Sequence, residues 1–162
     1  FNSIGVGANI LSSASNATAI VAAEYSNPKF YRSVDQGQNW ATASPALSGT
    51  GGELFAASPA GAFVLMSAGG TSAVVSSDSG VSWFDVADTL NNFDIDCLGW
   101  TGTYFVQSGY TNACFSTDGV TWTNEDITAL NPLNNQAWSA TGNDKHAVFI
   151  YLDGNTILAD LP

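Results

Sequence analysis

Ser33-Val34-Asp35-Gln36-Gly37-Gln38-Asn39-Trp40, an S-x-D-x-G-x-x-W stretch, decides the fold because the chain repeats it. Ser76-Ser77-Asp78-Ser79-Gly80-Val81-Ser82-Trp83 restates it in full. Ser116-Thr117-Asp118-Gly119-Val120-Thr121-Trp122 restates it with one residue lost between Asp and Gly. Asp35, Asp78 and Asp118 stand 43 and then 40 positions apart, the span of one small β-sheet per repeat. The residue types describe a tight turn. The carboxylate accepts N–H groups of its own turn, glycine supplies a positive φ, the serine hydroxyl adds a local backbone bond, and tryptophan fills apolar space beside the turn.

This pattern resembles the Asp-box, or BNR repeat, of sialidases, sortilin-type receptors, some xyloglucanases and a photosystem assembly factor. The resemblance implies an all-β fold, a β-propeller in which each box joins the third and fourth strands of a blade. It also implies that the box turns share one face and that ligands bind on the other.

The residues between boxes read as short strands with no lasting helical period. Residues 1–162 form one domain of four blades, at about 8–43, 53–86, 94–123 and 136–160. In blade three, strands are expected at Asp94–Trp100, Tyr104–Gln107 and Asn112–Ser116, with a fourth starting at Thr121-Trp122. Blade four lacks both box and fourth strand, and Leu152-Asp153-Gly154-Asn155 matches the second turn of a blade better than a decayed box. Residues 1–6 precede blade one's own first strand and are expected to supply the missing strand. They close the ring or, exchanged into a neighbouring copy, drive self-assembly.

Composition narrows the function. Fourteen acidic side chains face three bases, Lys29, Arg32 and Lys145, for a net charge of −11. So few cations release few counterions, which excludes nucleic-acid binding and disfavours anionic membranes. No apolar run reaches the roughly 20 residues that cross a bilayer, and no signal-peptide pattern is present. The chain opens on Phe1, so it is expected to be processed or cut from something larger. Only 10% of residues are charged, with hydroxyls and amides in their place. That surface fits a secreted, extracellular or virion-surface protein.

On the expected ligand face, strand starts and loops bring together Glu53, Asp94, Tyr110, Glu125, Asp126 and Asn134, an acidic and amide-rich rim for a glycan or a protein surface. Sialidases clamp their substrate's carboxylate with three arginines, and this chain has only Arg32, beside a box. A glycosidase pair, Glu53 with Asp94 or Asp94 with Asp126, is the remaining enzymatic reading. No cofactor, metal site or catalytic residue is expected: His146 lies in an apolar strand, and Asp94-x-Asp96 lacks a calcium loop. Asn16-Ala17-Thr18 is a glycosylation sequon. The residues thus favour a non-catalytic recognition or adhesion module. The alternative is a structural subunit of a virion, tail fibre or filament.

Cys97 and Cys114 are expected to stay free. Strand pairing sets Cys97 opposite Val106 and Val106 opposite Cys114, leaving the thiols two strands and roughly 10 Å apart, too far for a disulfide.

Overall fold

The computed structural model describes residues 10–24, 29–43, 54–66, 73–86, 97–131 and 135–161. Fifteen strands and no helix occur among them, in four antiparallel sheets. Blade one holds β1 (Ile10–Ser15), β2 (Ile20–Glu24), β3 (Phe30–Ser33) and β4 (Ala41–Ala43). Blade two holds β5 (Leu54–Ala57), β6 (Phe63–Met66), β7 (Ala73–Ser76) and β8 (Phe84–Val86). In blade three lie β9 (Cys97–Trp100), β10 (Phe105–Ser108), β11 (Asn112–Ser116) and β12 (Thr123–Asp126). Blade four has β13 (Ala137–Gly142), β14 (His146–Tyr151) and β15 (Thr156–Asp160).

Within each sheet, neighbours in sequence are neighbours in space, and β1, β5, β9 and β13 lie side by side as the inner strands. This is a β-propeller of four blades. Every box joins third and fourth strands, and Leu152–Asn155 joins β14 to β15, the second turn of its blade. The fourth strands begin later than expected, after the box tryptophan rather than at it. Residues 1–6, expected to complete blade four, lie outside the described residues.

The core is made between blades. Strands β6, β7 and β10 are buried along their whole length, because blades two and three each have a neighbouring blade on both faces. One apolar cluster joins Val21, Ala23 and Phe30 of blade one to Phe63 and Leu65 of blade two. A second joins Val64, Met66 and Val75 to Phe105 of blade three. The third joins Val106 and Phe115 to Phe149, Tyr151 and Ile157 of blade four. In the last junction Ser108 Oγ and the Tyr151 hydroxyl share a buried hydrogen bond of 2.9 Å.

The register of blade three differs from expectation. Cys97 faces Ser108, not Val106, and Cys114 faces Gln107, while Val106 faces Phe115. Since adjacent residues of a strand point to opposite faces, the two cysteines lie on opposite faces of the sheet. Cys97 packs toward blade four, and Cys114 lies on the face toward blade two. Both thiols are buried, and no disulfide joins them. Burial pushes the Cys114 thiol up to about 11, against a hydrogen bond from Gln107.

Candidate functional site

The two ends of the blades differ in chemistry. At one end lie the three boxes, built nearly alike. Ser33, Ser76 and Ser116 each donate from Oγ to the box aspartate, at 2.8, 2.9 and 3.0 Å, and each Oγ accepts the box glycine N–H. The carboxylates gather the N–H groups that follow: Asn39 for Asp35, Val81 and Ser82 for Asp78, Val120 and Thr121 for Asp118. Trp40, Trp83 and Trp122 donate from Nε1 back to the carbonyls of Gly37, Gly80 and Gly119. Gln36 and Ser79 hold φ of 59° and 60° ahead of glycines that are also positive. The residue lost from the third box is this strained one, so its turn is shorter yet keeps Gly119 at φ 77°.

These bonds set the acidity. Hydrogen bonds from the Asn39 backbone, the Asn39 side chain and Ser33 hold the Asp35 carboxyl at about 2, against an ordinary 3.8. Partial burial raises Asp78, but bonds from Ser82, Ser76 and Val81 outweigh it and hold it at about 2. Asp118 is lowered in the same way, its burial outweighed by Thr121, Val120 and Ser116. A saturated carboxylate of this kind is a turn anchor, poor as a base or a ligand.

Boxes also lock neighbouring blades together. Arg32 of blade one donates from Nε to the Ser79 carbonyl at 2.6 Å, and Thr18 Oγ1 meets Ser79 Oγ at 2.7 Å. A Cβ on Gly80 would stand 2.7 Å from Val21 Cγ2 of blade one. Arg32 is therefore an interblade strut. Beside the first box an open cleft of about 270 Å³ is lined by Asn16, Thr18, Ser33 and Gln36, among others. Asn16 Oδ1 accepts from Thr18 N, Thr18 Oγ1 and Ala19 N, and its Nδ2 is buried, so the sequon nitrogen does not face solvent.

At the opposite end, the loops of blades three and four form one hydrogen-bonded platform. Buried Asn131 donates from Nδ2 to the Tyr110 carbonyl (2.7 Å) and the Asn135 carbonyl (2.9 Å), and accepts from Asn135 N (3.2 Å). Asn135 Nδ2 donates to Asp153 Oδ2 at 2.7 Å, and that carboxylate also takes both N–H groups of Asn155. The Ile127 N–H closes onto the Thr111 carbonyl. Tyr110, half-buried, borders this platform in the loop expected for it.

Of the other expected rim residues, Glu53, Asp94 and Asn134 lie outside the described residues. Glu125 and Asp126 require a correction: they belong to β12, the outermost strand, paired with Ala113 and Asn112, and not to a loop. The ladder runs to Asp126, three residues past the expected end of the blade at 123, since an exposed outer strand needs no apolar face. Asp126 ends that strand near Tyr110, its carboxyl lowered by hydrogen bonds from Thr128. With Asp94 outside the described residues, the Asp94–Asp126 pairing lies outside them too. Asn131, Asn135 and Asp153 join the platform without having been expected there. The signal was the run of asparagines before β13 facing the Asp153-Gly154-Asn155 turn. His146 is half-buried on blade four, its Nδ1 2.9 Å from Asp160 Oδ1. Among the described residues, no three His, Cys, Asp or Glu side chains gather as a metal site.

Fold and site together define a β-propeller with structural boxes on one face and an amide-rich loop platform on the other. No protein-family model matches this sequence, and no curated protein does. Solved structures do match the fold. The computationally designed Ika4 protein superposes with a TM-score of 0.75 at 10% identity, over 99% of this chain and 96% of that one. YCF48 bound to D1 peptide gives 0.66 at 16% identity, over 99% and 52%. Virginiamycin B lyase from Staphylococcus aureus gives 0.70 at 11%, over 100% and 59%. This chain thus spans little more than half of the latter two propellers.

Proposed function

We propose that this chain is a non-catalytic recognition module, an Asp-box propeller whose loop platform binds a protein segment outside the cell or on a particle surface. The observation that carries this reading is the Tyr110–Asn131–Asn135–Asp153 platform. Its amides are fixed by one another before any ligand arrives, so little side-chain entropy is lost on binding. Half-buried Tyr110 adds an amphipathic ring of the kind enriched in binding surfaces. YCF48, similar in fold, has been solved with a peptide bound. The low-charge, hydroxyl-rich composition supports an exported location.

The test is binding to a displayed peptide library and, in parallel, to a glycan array. Peptide ligands are expected, with affinity falling about tenfold or more in Tyr110→Ala and Asn135→Ala. Selective glycan binding lost in the same variants would replace the protein ligand with a sugar. Binding that ignores both variants would remove the platform from the function.

A further inference from the structure

Blade four is buried on one face only. Strands β6, β7 and β10 are covered on both sides, whereas β14 and β15 alternate between buried and exposed residues. The covered side packs on blade three. The other side presents Trp138, Ile150 and Leu158 at 72%, 43% and 60% exposure. Three large apolar residues on one sheet face mark a surface meant for a partner. On that side the Asp160 carboxylate is joined to the His146 ring, Oδ1 to Nδ1 at 2.9 Å.

The repeat shows what kind of surface fits there. Blade one's face receives the box of blade two, with Trp83 stacked 4.5 Å from Phe30 and Gly80 against Val21. Blade two's face receives the box of blade three, with Gly119 against Val64 and Trp122 in the shared cluster. Blade three's face is covered by blade four, which has no box; blade four's own face comes next and stands open, and a box-bearing blade would fit it. Blade one carries such a box unengaged: among the described residues, a Cβ on Gly37 would meet only Trp40 of its own turn. Trp40 joins none of the interblade clusters that hold Trp83 and Trp122.

We propose that the open face of blade four receives blade one of a second copy, so that two chains related by a twofold axis complete one ring of blades. Both junctions form at once under that symmetry, and assembly stops at two. The contact can be placed by residue. Asn16 Oδ1 caps its turn by accepting from the N–H groups two and three residues on, and Asn143 Oδ1 does the same for Lys145 and His146. Lys145 is thus the counterpart of Thr18, and Gln36 is the counterpart of Ser79 in its box. Since Thr18 and Ser79 touch across the first junction, Gln36 of one copy meets Lys145 of the other. Both are exposed in the single chain.

Sedimentation at micromolar concentration should give the mass of two chains and nothing larger. Association should strengthen with salt, which screens the acidic copies from each other. Trp138→Glu should weaken association about a hundredfold or more while keeping the wild-type circular dichroism and cooperative unfolding. A Gln36→Cys/Lys145→Cys chain, mildly oxidised, should run on a non-reducing gel as a covalent pair. The same disulfide formed within one chain would show that blade one covers its own blade four, and would overturn the proposal. So would a wild-type chain that stays monomeric, or one that grows into open-ended filaments.

Discussion

Gly119→Ala tests the packing of boxes onto blades most directly, with Gly37→Ala as its control. Both glycines hold positive φ, 77° and 83°, so each alanine pays the left-handed penalty of about 1–2 kcal/mol. Reduced freedom of the unfolded chain offsets about 0.4–1 kcal/mol of it in both. The surroundings differ. At Gly119 a Cβ would overlap Val64 Cγ2 and touch both methyls of Val75, on the buried face of blade two. Overpacking of this kind costs about 1–3 kcal/mol more. At Gly37 the nearest atom is Trp40 Cζ2 at 3.7 Å, an ordinary contact. Gly119→Ala should therefore be less stable than Gly37→Ala by about 1–3 kcal/mol. Urea unfolding followed by tryptophan fluorescence reads this as a midpoint lower by about 1 M at a slope of about 2 kcal/mol/M. The comparison belongs at concentrations dilute enough to keep the chain monomeric. Equal destabilisation of the two variants would mean that the third box is not pressed against blade two, and the interblade role of the boxes would fall.

Two further outcomes follow from the same geometry. Trp83→Ala removes a ring packed among Phe30, Phe55 and Phe63, with centroids 4.5, 6.0 and 6.3 Å away. It should cost about 3–5 kcal/mol, with Trp83→Phe retaining most of that, and both are measured by chemical denaturation. For the box aspartates the folded carboxyls titrate below their unfolded value of 3.8. Their stabilisation is complete above about pH 4 and disappears as pH falls toward 2. Melting temperature should drop across that window, and an Asp35→Asn/Asp78→Asn/Asp118→Asn chain should be less stable at neutral pH and show a flatter acid limb.

The sequence by itself determined where the chain turns. Ser, Asp, Gly and Trp at fixed spacing specify a local hydrogen-bond set that closes within eight residues, so three boxes, the blade count and the second-turn role of Asp153-Gly154 were all legible. Strand register was not. Strand β10 is buried on both faces and β11 nearly so, and without polar–apolar alternation nothing in the sequence distinguishes one pairing from its neighbour one residue away. A slip of that size put Cys114 opposite Val106 rather than Gln107, and so on the wrong face. The loop platform was hidden for a related reason: Asn131, Asn135 and Asp153 belong to two blades and meet only once those blades pack. Blade four shows the same limit. Phe149, Ile150 and Tyr151 run apolar without a break, as do Ile157 and Leu158, and which of them lay bare was decided by the arrangement of the other blades. Local hydrogen bonding is written residue by residue, whereas the burial of a face depends on what stands across from it.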